Sequence, residues 1–275
     1  MTRTSLPHLL FFVFLSPLFL NAPGKELAPG SSHTFLFPDL PISLWSERLK
    51  IEKQTACTVQ LPEDYTPEKK YPLVLMMGGS HGDHGYSAKG VRKIVGDTGV
   101  ICLSLPLFKK DLAPLKENES NKWNRLYIGP DEAENLWSSY EKMLEKVFAE
   151  IPNIDRDLCF MGGFSNGANS TAVQLIHPDV GGKLREYFDH FIFIEGGHVI
   201  RPGPHTKDAV FLLAQGGTRR DWLRAVADRL GAADEVEVTL FTMPETGHEF
   251  PGPEKHRVGN WIREKCGLPP LPPEK

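Results

Sequence analysis

A chain of 275 residues with a formal net charge of −4 presents no basic face for nucleic acid. Its length suits one α/β domain with a well-buried core and is too short for two domains with separate cores. The 4 cysteines show no CxxC pair and no Cys/His spacing that would suggest structural zinc, and Cys102 and Cys159 lie in apolar runs where a free thiol is simply a small buried hydrophobe.

The chain opens with Arg3 ahead of an apolar run from Leu9 to Leu20, and Ala22-Pro23-Gly24 offers the small residues a signal peptidase reads. Residues 1–24 are therefore read as a signal peptide, which places the mature protein outside the cytoplasm, secreted or periplasmic, without stable membrane insertion. An uncleaved anchor is the alternative, although the run is shorter than the roughly 20 residues that span a bilayer and contains Pro17. Losing Arg3 with the leader moves the charge from −4 to −5.

Residues 25–45, rich in Pro, Gly and Ser, read as a lead-in segment, 46–266 as the α/β domain, and 267–275 as a proline-rich tail. Arg48 to Lys53 and Thr55 to Leu61 alternate as two antiparallel strands would. Tyr71 to Met77 is continuously apolar, as a strand buried on both faces must be, and stops at Gly78-Gly79-Ser80-His81-Gly82. Gly99 to Leu105 is the next strand. The polar excursion from Lys109 to Tyr127 is long enough for a lid or a cleft wall, in which Trp123 and Tyr127 either bind substrate or pin the loop. A helix follows from Asp131, with Leu136, Tyr140, Met143, Leu144, Val147 and Phe148 on one face.

Asp157 to Met161 reads as a strand and Asn166 to His177 as a helix, so Ser165 in Gly163-Phe164-Ser165-Asn166-Gly167 falls at the turn between them. Flanking glycines suit a turn too tight for side chains and a helix packed close to its strand. A glycine-rich turn with a capping serine is the plainer alternative. Phe191 to Ile194 is a strand ending at Glu195-Gly196-Gly197-His198. Ala209 to Ala214 is another, followed by Gly216-Gly217 and a helix carrying Leu223, Val226, Ala227 and Leu230. Val236 to Phe241 is the last strand, Met243 to Pro251 a loop containing His248, and Arg257 to Cys266 the last helix.

Strands alternating with helices argue for an α/β fold with a mainly parallel sheet and helices on both faces. Chemistry in such sheets gathers beyond the carboxyl ends of the strands. Ser165, the Gly78-Gly79 loop, Glu195, the loop from Gly216 to Asp221 and His248 all fall there.

Taken together, Leu61-Pro62-Glu63-Asp64-Tyr65 with Tyr71-Pro72-Leu73-Val74-Leu75, Ile154-Asp155 before the Ser165 pentapeptide, and Gly247-His248 resemble the α/β-hydrolases. The likeness is nearest to the secreted esterases that include feruloyl and acetylxylan esterases and polyhydroxyalkanoate depolymerases. It runs from about Lys50 to Ile262. It implies an α/β-hydrolase fold and a serine hydrolase that cleaves carboxylic esters of small molecules or polymers, polysaccharide-linked or polyester, through an acyl-enzyme and without a cofactor. Ser165 is then the nucleophile and His248 the base, with His198 as competitor; His177, His190 and His205 look like surface or packing residues.

The resemblance also implies an aspartate soon after the glycine that ends the penultimate strand. That register falls on Arg219 or Arg220, so Asp221, slightly late, is the first candidate acid and Glu195 the alternative. The oxyanion hole is expected from the N–H of Asn166 and that of Gly79 or Ser80. Where relatives commonly carry His-Gly after the strand, this chain has Met77-Gly78. His81-Gly82-Asp83-His84 lacks a third ligand at a recognisable spacing, so no metal is expected. A catalytically inactive binding domain and a serine peptidase remain as alternative functions.

Overall fold

The computed structural model describes residues 27–40, 55–79, 87–106, 132–218, 221–233 and 235–273. In chain order its strands are β1 (Ser32–Leu36), β2 (Ala56–Gln60), β3 (Tyr71–Met77), β4 (Ile101–Ser104), β5 (Ile154–Phe164), β6 (His190–Ile194), β7 (Val210–Gly216) and β8 (Glu237–Met243). The helices are α1 (Ala88–Val95), α2 (Ala133–Glu150), α3 (Asn166–Ile176), α4 (Gly181–Arg185), α5 (Trp222–Gly231) and α6 (Gly252–Lys265).

Every residue of β3 is buried, and its alternation divides the core in two. Leu73, Leu75 and Met77 face a cluster shared with Leu136, Tyr140 and Leu144 of α2, Ala168 and Ala172 of α3, and Leu223 and Val226 of α5. Val74 and Met76 face the other side, with Val91 and Ile94 of α1 and Val258, Trp261 and Ile262 of α6. Successive strand side chains point to opposite faces, so a strand covered on both sides must be apolar throughout. Each such side chain contributes about 1.5–3 kcal/mol by leaving water.

The strands form one sheet in the order β1-β2-β4-β3-β5-β6-β7-β8. β1–β2 and β2–β4 are antiparallel; every pair from β4 onward is parallel. The carboxyl ends of β3, β5, β6, β7 and β8 therefore lie along one edge, and the order along that edge is what positions the site.

Two departures from the sequence reading have physical causes. Ser32–Leu36, inside the Pro/Gly/Ser-rich lead-in, is the edge strand that pairs with β2, in place of the expected partner Arg48 to Lys53, which lies outside the described residues. His33 is buried while Thr34 is exposed, and the Gln60 side chain donates to the carbonyls of Gly30 and Ser31, tying a segment of weak strand composition to the sheet. The tail is packed down: Leu268 lies against Gly99 and Leu271 against Gly96 and Gly259. The buried Arg263 bonds the carbonyls of Pro269, Val95 and Thr98, so a guanidinium inside the fold joins tail, α1 and the approach to β4.

All four cysteines are unpaired; Cys57, Cys102 and Cys159 are buried and Cys266 half-buried. Among the described residues no helix is long and apolar enough to cross a membrane. The leader at 1–24 and the Lys109 to Tyr127 excursion lie outside them.

Candidate active site

Ser165 stands at the junction of β5 and α3 with φ 53° and ψ −114°, a left-handed backbone that non-glycine residues adopt at a cost of about 1–3 kcal/mol. The conformation is held from both sides: its N–H donates to Ile194 O at 2.8 Å and its carbonyl accepts from Asn169 N–H at 2.9 Å. The glycines of the pentapeptide have one shared reason. A Cβ on Gly163 would lie 2.4 Å from the Met77 carbonyl oxygen, and one on Gly167 2.3 Å from the same atom, so both make room for the end of β3.

His248 follows β8. Its loop is fastened to the loop after β7: Gly217 N–H donates to Met243 O at 2.7 Å, and the Thr218 hydroxyl to Thr246 O at 2.6 Å. A Cβ on Gly216 would come within 2.2 Å of Gly247 O, so the two loops touch backbone to backbone. This places His248 Nε2 2.8 Å from Ser165 Oγ and its Nδ1 3.0 Å from Glu195 Oε2. An ionised carboxylate only accepts, so Nδ1 carries the proton and Nε2 accepts from the serine hydroxyl. The Phe164 ring packs beside the imidazole, with centroids 4.8 Å apart and planes tilted by 33°.

Glu195 directly follows β6 with φ 55°, the second left-handed residue of the site. Its side chain is 3% exposed. The carboxylate meets the imidazole through Oε2 and accepts the backbone N–H of Gly216 through Oε1.

Several solved structures share this architecture. The feruloyl esterase module of Clostridium thermocellum matches with a TM-score of 0.55 at 12% identity, over 85% of this chain and 87% of that one. A fungal esterase of Rhizomucor miehei matches at 0.53 and 12%, over 88% and 85%, and the dienelactone hydrolase of Anabaena variabilis at 0.52 and 17%, over 85% and 96%. The chain has the α/β-hydrolase fold. No protein-family model and no curated protein matches its sequence.

On this α/β-hydrolase scaffold the structure corrects the first candidate acid. Asp221 does not approach His248. Its carboxylate sits 72% exposed at the start of α5 and accepts from Gln215 Nε2 at 2.9 Å. The loop after β7, where the resemblance placed an aspartate, instead holds the His248 loop, while Gly216 at the end of β7 donates its N–H to Glu195. His198 lines the same pocket, but its ring packs near Trp222, at 5.9 Å, and it is His248 that reaches Ser165.

Asn166 is the first residue of α3, so its N–H has no partner within the helix and lies next to Ser165. Gly79 lies close by: a Cβ there would be 3.4 Å from Ser165 Cβ and 3.1 Å from the Phe164 ring, which keeps that backbone near the reacting atom. Ser80, Trp123, Tyr127 and the stretch from His81 to His84 lie outside the described residues.

The hydrolase-fold pocket above Ser165 has a volume of about 410 Å³, and Asn169, Gln215, Trp222 and Leu223 line it with Ser165, Glu195 and His248. Sequence reasoning missed these four. Away from this lining, Glu134, His177 and Asp179 bring one potential ligand atom each within 4.8 Å of one another. Both carboxylates are exposed and His177 Nδ1 faces the Asp179 N–H at 3.3 Å, which is an ordinary surface cluster.

Proposed function

We propose that this chain is an exported serine hydrolase that cleaves carboxylic esters through an acyl-enzyme. The observation that carries the reading is the continuous hydrogen-bonded line from Ser165 Oγ through the His248 ring to a buried Glu195 carboxylate. That two of the fold neighbours are esterases agrees with it. Export rests on the leader pattern at 1–24.

A serine hydroxyl is too weak a nucleophile near neutral pH without a base. His248 Nε2 takes its proton as Oγ bonds to the ester carbonyl carbon, and the Glu195 carboxylate stabilises the imidazolium that forms and fixes its tautomer. The oxyanion is held by the N–H of Asn166 together with that of Gly79 or Ser80; one such donor is worth about 3 kcal/mol of barrier. His248 then protonates the leaving alkoxide, the alcohol departs, and Ser165 remains acylated. Water repeats the sequence with His248 as base, releasing the acid and restoring the hydroxyl.

The test is labelling of the mature protein with a fluorophosphonate probe, alongside turnover of a p-nitrophenyl ester and its matching anilide. Labelling and ester turnover that vanish in Ser165→Ala are expected. A protein that neither labels nor turns over is a binding domain, and faster cleavage of the anilide makes it a peptidase.

A further inference from the structure

Asn169 lies one helical turn beyond Ser165 on α3 and lines the same pocket. Its backbone N–H donates to the Ser165 carbonyl at 2.9 Å, and its side-chain oxygen accepts the N–H of Gly197 at 2.7 Å. A backbone N–H only donates, so Oδ1 is the end of the amide turned to Gly197, and Nδ2 is the end left over. One residue thus grips both the turn that carries Ser165 and the segment that leaves Glu195.

Glu195 needs that grip. A non-glycine residue at φ 55° carries a cost of about 1–3 kcal/mol and keeps its conformation only where its neighbours over-determine it. On its N-terminal side this is done by Ile194, whose carbonyl accepts the Ser165 N–H at 2.8 Å, and by the N–H of Glu195 itself, which donates to Ala214 O at 2.9 Å. On its other side the chain passes hard against the Ser165 turn: a Cβ on Gly196 would lie 2.4 Å from the Ser165 carbonyl oxygen, and Gly197 is again left-handed, at φ 89°. The bond from Gly197 to Asn169 holds this second side. Contacts then close a ring, from Ser165 to His248, from His248 to Glu195, along the chain to Gly197, and through Asn169 back to Ser165.

We infer that Asn169 is a positioning residue of this site: by accepting the Gly197 N–H it keeps the Glu195 turn on α3 and the Glu195 carboxylate on His248 Nδ1. The inference rests on the serine-hydrolase reading for its kinetic consequence, whereas the placement of Glu195 can be measured without turnover. Because Asn169 acts through Glu195, its effect belongs to kcat and disappears once the Glu195 carboxylate is gone.

The experiment has a structural arm and a kinetic arm. Asn169→Leu matches the side chain in size and removes the acceptor, Asn169→Ala removes it without added bulk should the first not fold, and Asn169→Asp keeps an oxygen toward Gly197 while removing the amide hydrogens. Crystal structures of the native protein and the variants read the separation of Glu195 Oε2 and His248 Nδ1. It should lengthen from 3.0 Å to beyond about 3.5 Å in Asn169→Leu and Asn169→Ala and hold in Asn169→Asp. On a p-nitrophenyl ester, kcat should fall about 10- to 100-fold in the first two variants with KM little changed, and by less than about threefold in Asn169→Asp. In the Glu195→Gln background, Asn169→Leu or Asn169→Ala should cost less than about a further twofold. An unchanged separation, or the same fold-loss with and without the Glu195 carboxylate, overturns the inference. So does a loss in Asn169→Asp equal to that in Asn169→Leu, which would make Nδ2 a donor to substrate. Failure of the hydrolase reading shows separately, as absence of Ser165-dependent turnover in the native protein, and the Glu195 to His248 separation then still decides the role of Asn169.

Discussion

Glu195 and Gly216 sit on neighbouring strand ends, and the carboxylate of the first accepts the backbone N–H of the second. With Oε1 on that N–H and Oε2 on His248 Nδ1, the carboxylate is held through both oxygens. The carboxylate beside His248 thus arrives from the end of β6 and is fixed by a backbone N–H from the end of β7.

This relationship predicts how the two carboxylates will respond to neutralisation. Glu195→Gln should lower kcat on a small aryl ester by about 10³- to 10⁴-fold, because an amide no longer enforces the tautomer or stabilises the imidazolium. Asp221→Asn should leave turnover within about twofold, since an amide oxygen at that exposed site still accepts from Gln215. Steady-state kinetics on the two variants decide it, and a reversed order would move the acid to Asp221.

The strained turn at Ser165 predicts opposite stability effects at two positions a residue apart, Ser165 and Gly167. Ser165→Gly should abolish activity and raise stability by about 1 kcal/mol, because glycine adopts φ 53° without the steric cost. Gly167→Ala should destabilise by about 2 kcal/mol or more, because its Cβ would meet the Met77 carbonyl at 2.3 Å and backbone cannot give way. Urea unfolding midpoints of the two variants measure both.

His190, the first residue of β6, predicts a stability profile in acid. Burial pushes its pKa below the ordinary value, opposed by Asp189 and Glu237 and aided by Lys265 and Arg185. Its ring packs on Phe160 at 4.4 Å, and Nδ1 is buried without a hydrogen-bond partner. A depressed folded-state pKa means that the unfolded chain binds the proton more readily, so stability is full above about 6.5 and is lost as pH falls through the folded value. Melting temperatures between pH 7.5 and 5 should fall, and His190→Phe should flatten that fall. An unchanged slope in the variant would sink the assignment.

Thiol reactivity should be silent until the fold opens. Burial raises the Cys57, Cys159 and Cys266 pKa values to about 12 and drives Cys102 up further, so hardly any thiolate exists near neutral pH. Ellman's reagent should titrate close to none of the 4 thiols in the native protein and all of them in guanidinium. Rapid native titration of any one would contradict the packing around it.

Much of the framework was legible beforehand because it rests on local pattern. The unbroken apolar run of β3 declares a strand covered on both faces, and the glycines around Ser165 declare a crowded turn. Gly247-His248 beyond the last strand marks an imidazole on the same edge. These features depend on neighbours within a few residues. The lead-in strand was not legible, since Ser32–Leu36 carries little strand composition of its own and is recruited by pairing with β2 and by the Gln60 side chain.

The acid was the other matter that pattern left open. Two carboxylates, Glu195 and Asp221, follow consecutive strands, and chain spacing favoured the later one. Strand order decided otherwise: β6 lies between the strand that carries Ser165 and the strand whose end supplies the Gly216 N–H, so a side chain at its carboxyl end reaches both His248 and that donor. Asp221 starts a helix and turns to Gln215 instead. Composition and spacing determined that this chain would build a tight strand-to-helix turn bearing Ser165 on a parallel sheet edge. Only the lateral order of the strands, a property of long-range pairing, decided which carboxylate stands behind the histidine.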